Sequence, residues 1–283
     1  MEFTADALIN KSLELVSPPT TYTQLDALIH DDSASADDIS QVINADPALT
    51  TRLLRIVNSP YYGFPSQIST ISRAIAIVGT SELAQLVLAT SVINSFRGIP
   101  EDLIKMTDFW RHSIACAITA SIIAKKCKMQ VPEQFFIAGL LQNIGSLVIY
   151  QTIPELAREA ITSSLFGNET LYESERRLLS FDHTEVGEAL AKKWRLPAAL
   201  TEIIRYHHTP SQTKLFPIET AIVHLADVMV TAAGIFGHSG DRHVPKLDHQ
   251  AWQELKLDEQ QLPDIMQQVK DKIDDLASML ATA

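Results

Sequence analysis

Along almost the whole chain apolar residues return every three or four positions, and no run of strict alternation closes on a hairpin dipeptide. That spacing puts an apolar stripe on one face of a helix, so the pattern predicts an all-α fold. Leu8, Leu13, Leu15 and Val16 mark a first helix ended by Pro18-Pro19, because proline has no N–H to continue the ladder. Asp46-Pro47 opens another, with a side-chain acceptor at the cap and a fixed φ at the first helical position. Leu49, Leu53, Ile56 and Val57 form its buried stripe, and Arg52 and Arg55 fall mostly outside it. The helix runs into Asn58-Ser59-Pro60 and the aromatic turn Tyr61-Tyr62-Gly63-Phe64-Pro65. Residues 72–78 and 81–96 read as two helices around a break at Gly79-Thr80.

Gly98, Pro100 and a short acidic stretch change the pattern around 98–107, which sets a boundary between an N-terminal helical unit over 1–100 and a second over 101–236. Helices are expected in the second near 108–127, 132–151, 154–164, 169–179, 183–194, 197–207 and 217–236. Asp182 with Glu185 makes a capping-box pair, and Pro197 suits a first helical position. The remainder, 237–283, divides into an exposed loop, GHSGDRHVPKL, and a last amphipathic helix. The stripe of that helix is Leu262, Ile265, Met266, Val269, Ile273, Leu276 and Leu280. Docking on the chain's own core is the expectation for this stripe, with a homodimer seam as the alternative; it covers too few heptads for a coiled coil.

Charge narrows the function classes. A formal net charge of −11 and a pI near 5.2 exclude reliance on phosphate-backbone attraction, so no nucleic-acid partner is expected, and an anionic membrane surface would repel the chain. Helix 81–96 follows a break as a DNA-reading helix would, but it has no Lys or Arg and is apolar nearly all round, which assigns it to a core. The two cysteines, Cys116 and Cys127, stand eleven residues apart on one expected helix, about 16 Å along its axis and beyond disulfide reach. Both read as residues of apolar helical faces in a reducing compartment. The start MEFTADALIN has neither a basic segment nor an apolar signal core, and His224 and Asp227 interrupt the most apolar later stretch, so a cytoplasmic location is expected.

The chemistry-bearing residues fall at the starts and ends of the later helices: His112, Gln142-Asn143, His183, His207-His208 and Asp227. In this order, within QFFIAGLLQNIGSLVI, DHTEVGEALAKKWRLP, EIIRYHHTP and VHLAD, the chain resembles the HD superfamily of metal-dependent phosphohydrolases. There a lone His, a His-Asp pair, further His residues and a late Asp converge on one or two metals inside a helical bundle. VINADPALTTRLLRIVNSPYYG followed by ISTISRAIAIVGTSELAQLVLA narrows this, because it is similar to the signature of HDOD domains, a divergent branch regarded as bacterial signalling outputs. The resemblance spans roughly residues 20–230.

One departure decides what the resemblance implies. Active hydrolases have His-Asp where this chain has Gln142-Asn143, and neutral amides offer only weak carbonyl donors to a cation. Without a metal, no bound water has its pKa lowered toward about 7, so the hydrolytic nucleophile is missing. Ser146 stands where relatives carry Lys. The expectation is therefore a regulatory module without catalytic residues, acting on a signalling protein or small ligand. No cofactor is expected beyond one adventitious Zn²⁺ or Ni²⁺ at His112, His183, His208 and Asp227. The alternative is a divergent metal-dependent phosphohydrolase acting on a nucleotide or phosphoester. His183, inside a capped N-terminus, is expected neutral; His207 and His208, at a helix end, are expected to gain from the C-terminal dipole as cations. Asp227, inside an apolar helix, calls for a partner, His112 or His183. Asn58, Tyr61 and Tyr62 are candidate partner contacts, since aromatic turn residues can anchor a partner. GHSGD does not match G-x-S-x-G, no Gly-rich phosphate loop occurs, and Asp31, Asp32, Asp37 and Asp38 lack calcium-loop spacing, so these acids are expected to cap helices.

Overall fold

The computed structural model describes residues 4–11, 20–31, 33–96, 98–132, 134–237 and 243–281. Among them every regular element is a helix and there is no strand, as the spacing predicts. The chain forms two compact units. One takes residues 1–17 and 96–271, the other 18–95 and 272–283.

The first helix, α1 (Ala5–Lys11), therefore groups with the later residues and not with the rest of 1–100. Leu8 and Ile9 explain the assignment: both are buried, and α1 packs on helices of the larger unit. Leu13, Leu15, Val16 and Pro18-Pro19 lie outside the described residues.

The smaller unit begins with α2 (Thr20–Ile29) and α3 (Ala36–Asn44). Ser35 and Asp38 cap α3 reciprocally, which gives this acid the capping role expected of it. Helix α4 (Pro47–Val57) starts where Asp46 accepts the N–H groups of Ala48 and Leu49 at 2.9 and 3.0 Å, and it buries Leu49, Leu53, Ile56 and Val57. Helices α5 (Ile71–Val78) and α6 (Thr80–Ser95) meet at Gly79, whose φ of 97° lets the chain bend sharply there.

In the larger unit α7 (Met106–Lys126) is buried along most of its length. The helix expected over 132–151 is broken: α8 (Gln134–Leu141) and α9 (Ile144–Thr152) are separated by a turn at Gln142-Asn143. Taken together, Gln134–Thr152 is long and apolar enough to cross a membrane, and 83% of it is buried inside the fold, where its apolarity serves a protein core. Then come α10 (Pro154–Phe166), α11 (Leu171–Leu179), α12 (His183–Lys193), α13 (Ala198–Tyr206) and α14 (Pro217–Ala232). Of the expected loop 237–247, residues 238–242 lie outside the described residues, and a short helix α15 (His249–Leu255) follows it. The last helix, α16 (Leu262–Ala281), begins in the larger unit, where Ile265 and Val269 are buried, and ends in the smaller one, where Ile273 and Leu276 are buried; the side chain of Leu280 is outside the described residues.

Two glycines set how closely the larger unit packs. A Cβ on Gly139 would lie 2.7 Å from the carbonyl oxygen of Cys116, so α8 rests directly on the backbone of α7. A Cβ on Gly145 would lie 2.0 Å from the carbonyl oxygen of His183, so α9 meets the start of α12 with no side chain between them.

Candidate functional site

These close approaches carry Gln142 and Asn143 to the same place as the histidines. His112 projects from α7 and Asp227 from α14, and the two meet with His112 Nε2 3.0 Å from Asp227 Oδ1. His112 Nδ1 donates to the Ile235 carbonyl at 2.8 Å, so both ring nitrogens face acceptors. Burial opposes charge on this ring, but the Asp227 carboxylate bonded to it raises the His112 pKa. Burial likewise opposes the Asp227 charge and is outweighed by His112, with lesser help from His208 and His207, which leaves the carboxyl well below its usual range. Asp227 thus has His112 as its partner, one of the two expected. The Gln142 amide nitrogen also donates to Asp227 Oδ1, at 3.2 Å.

Cys116 corrects the reading of it as an apolar-face residue. One turn after His112, its sulfur lies 3.4 Å from His112 Nε2 and 3.7 Å from Asp227 Oδ1. It is a free, fully buried thiol whose proton burial holds on.

His183 is the first residue of α12, where a neutral ring was expected from the helix dipole. Glu175 overturns that expectation. Its Oε2 lies 2.9 Å from the His183 backbone N and 2.6 Å from Nδ1, and both groups are buried. Burial works against the charge, but the Glu175 carboxylate at contact distance raises the His183 pKa. The other ring nitrogen lies 3.1 Å from His208 Nε2.

His207 and His208 follow α13, and the dipole expectation fails for them too. Burial and the neighbouring histidines hold His208 well below its ordinary range and bring His207 down to about 4. A terminal dipole is a partial charge, and it loses to desolvation beside another imidazolium. His207 Nδ1 donates to the Ile204 carbonyl at 3.0 Å, and Nε2 stands 3.2 Å from the Asn143 side-chain amide.

All seven inherited positions, His112, Gln142, Asn143, His183, His207, His208 and Asp227, are gathered in one place, since His208 Nδ1 lies 4.0 Å from Asp227 Oδ2 and the His207 and His208 rings are 4.1 Å apart. Asn143, His112, His183, His208 and Asp227 also line a narrow cleft with about 60 Å³ of water-accessible space, bordered by Ser146, Tyr150 and Tyr172. The sequence reading missed Glu175, Tyr172 and His224. Glu175 had a visible signal, since it occupies the Leu171/Leu179 stripe of α11 where an apolar residue belongs. The Tyr172 ring lies 4.9 Å from that of His208. His224 donates to the His207 carbonyl at 2.7 Å and accepts the Asp248 N–H at 3.0 Å, which fixes α14 against the end of α13.

The contact candidates lie in the smaller unit and are committed to internal bonds. Asn58 donates to the carbonyls of Leu54 and Ile68 at 2.7 and 2.8 Å and accepts the Ile68 N–H at 2.7 Å. Tyr61 is buried; Tyr62 is half-buried and donates its hydroxyl to Glu82 at 2.8 Å.

The donor set differs from one built for two ions: the neutral amides of Gln142 and Asn143 stand among the histidines, the Gln142 nitrogen faces Asp227 Oδ1 at 3.2 Å, and Glu175 is engaged by both the backbone and the ring of His183.

A helical bundle with such a row of histidines around a late aspartate has the architecture of the HD-related helical folds, here with the amides Gln142 and Asn143 among the histidines. The HDOD domain profile matches residues 15–210, and the chain belongs to the HDOD family. An uncharacterized protein of Treponema pallidum (strain Nichols) is 26% identical over 191 residues, 67% of this chain and 37% of that protein, so the match spans little more than a third of the relative's length. Among solved structures, a provisionally named phosphohydrolase from Shewanella amazonensis SB2B superposes with TM-score 0.76 at 22% identity, covering 97% of this chain and 98% of that one. An HDOD domain protein of unknown function from Geobacter sulfurreducens gives 0.74 at 23%, covering 97% and 96%. A protein from Marinobacter aquaeolei VT8, provisionally named for signal transduction, gives 0.74 at 21%, covering 96% of this chain and 61% of that one. At these identities the likeness is one of fold.

Proposed function

We propose that this HDOD chain is a regulatory module that does not hydrolyse phosphoesters and acts by binding a signalling protein or small ligand. The observation that carries the proposal is the Gln142 amide donating to Asp227 Oδ1 at 3.2 Å, so that a proton donor faces the carboxylate at a position where hydrolases carry a metal-binding His. Membership of a family of signalling outputs supports the regulatory half of the reading. Of the three contact candidates, Tyr62 keeps part of its ring outside the core, and a docking role for the NSPYYG turn falls to it.

Turnover decides the matter. Purified protein given Mn²⁺, Ni²⁺ or Fe²⁺ with phosphomonoester, phosphodiester and nucleotide substrates is expected to stay at the blank rate. Turnover with two ions bound per chain, both lost in His183→Ala, would establish the divergent hydrolase instead.

A further inference from the structure

We propose that His112, Cys116 and Asp227 form a site for one thiolate-preferring divalent cation, Zn²⁺, with the Gln142 amide oxygen as a fourth donor. Cys116 lies outside the inherited set of positions, and the site uses neither Asn143 nor His183, His207 or His208.

The three donor separations match one face of a tetrahedron. With Zn–N and Zn–O near 2.0 Å and Zn–S near 2.3 Å, tetrahedral edges are about 3.3 Å between N and O and about 3.5 Å from either to S. The corresponding separations are 3.0 Å for His112 Nε2 to Asp227 Oδ1, 3.4 Å for Nε2 to Cys116 Sγ, and 3.7 Å for Sγ to Oδ1. All three atoms are buried, on α7 and α14, and ligand-capable atoms of the trio lie within 4.8 Å of one another.

Three independent features point to an ion and not merely to a packed polar trio. First, His112 holds its other nitrogen on the Ile235 carbonyl at 2.8 Å, the outer contact that orients a metal-binding imidazole with Nε2 toward the ion. Second, Gln142 Oε1 is buried without a hydrogen-bond partner, while its Nε2 stands 3.2 Å from Asp227 Oδ1. Turned over when an ion binds, that amide would bring its oxygen to where Nε2 stands, 3.2 Å from Asp227 Oδ1. Third, charge closes: coordination displaces the Cys116 thiol proton and the proton between His112 and Asp227, so one dication meets one thiolate, one carboxylate and a neutral ring. The cleft lined by His112 and Asp227 supplies the approach.

Thiolate with imidazole selects Zn²⁺ over Mg²⁺, Ca²⁺ or Mn²⁺. The other cluster of ring nitrogens, His183, His207 and His208, is less suited. That trio offers three imidazoles and no thiolate, the donor that selects Zn²⁺ here.

Cobalt(II) reads the proposal directly. Chelator-treated full-length protein titrated with Co²⁺ is expected to bind one equivalent, with intense visible bands of tetrahedral cobalt and a near-ultraviolet sulfur-to-cobalt charge-transfer band that Zn²⁺ abolishes. Cys116→Ser, its fold verified by circular dichroism, is expected to lose the near-ultraviolet band and at least tenfold in Zn²⁺ affinity, whereas Cys127→Ser and His183→Ala keep the band. No charge-transfer band in the unsubstituted protein, or the same band in Cys116→Ser, would overturn the site. The site goes beyond the loss of hydrolysis and stands or falls separately from the turnover assay.

Discussion

Adding one methyl group at Gly145 tests how the site is assembled. A Cβ there would sit 2.0 Å from the His183 carbonyl oxygen and 2.5 Å from the Gly187 nitrogen, roughly 1.4 Å short of the 3.4 Å at which ordinary contact begins. Both obstacles are backbone, so no side chain can swing aside. Helices α9 and α12 must separate, and Leu147, Val186 and Leu190, all fully buried, lose their packing. Gly145→Ala should therefore cost about 3 kcal/mol, the upper end of overpacking, or roughly 1 M in the urea midpoint. Trp110, Trp194 and Trp252, the chain's three tryptophans, all belong to the larger unit, so tryptophan fluorescence reports its unfolding alone. Gly237→Ala is the control, because its Cβ would meet the His112 ring at 3.6 Å, an ordinary contact, and should shift the midpoint little. A Gly145→Ala midpoint within about 0.2 M of the parent would refute the close approach as the organising feature of the site.

Three further outcomes are expected. The pH dependence of stability should peak near the ordinary histidine pKa of about 6.5. His207, lowered to about 4, contributes fully above 6.5 and loses about 3 kcal/mol as pH falls through that window, with His208 adding to the loss. His112 and His183, both raised, contribute fully below 6.5 and lose their contribution as pH rises through their folded values. Melting temperature against pH should show both limbs, and His207→Gln should flatten the acid one; a monotonic profile would contradict the assignments. Glu175→Leu removes the buried counter-charge of His183 and should destabilise the larger unit by about 3 kcal/mol. It should also bring the His183 titration down toward or below the ordinary histidine range, measured by NMR of the ring protons. Asn58→Ala loses the bonds donated to the Leu54 and Ile68 carbonyls and the one accepted from the Ile68 N–H and should cost about 2 kcal/mol, measured by chemical denaturation of the full chain.

Much of the fold is legible in the sequence because helices are local. The cap at Asp46-Pro47, the break at Gly79 and the stripe of Leu49, Leu53, Ile56 and Val57 are written within a few residues of where they act. The break inside 134–152 is less legible, since Gln142-Asn143 sits in an unbroken apolar pattern and no proline or positive-φ glycine marks the turn. The inherited positions could be named from their order, but not their protonation. The His183 pKa is raised because Glu175, eight residues earlier and on another helix, is buried against it; no local dipole rule contains that contact. The pKa values of His207 and His208 are lowered because desolvation and the neighbouring histidines outweigh a helix end.

The sequence alone determined that the chain is all-helical and that it carries the HDOD pattern, since these depend on residue identity and short-range spacing. Tertiary structure alone decided which charges cancel and which atoms meet. Gly139 and Gly145 bring backbones close enough for Cys116, His112, Gln142 and Asp227 to share one buried space, where a distance of a few ångströms in low dielectric outweighs any local preference.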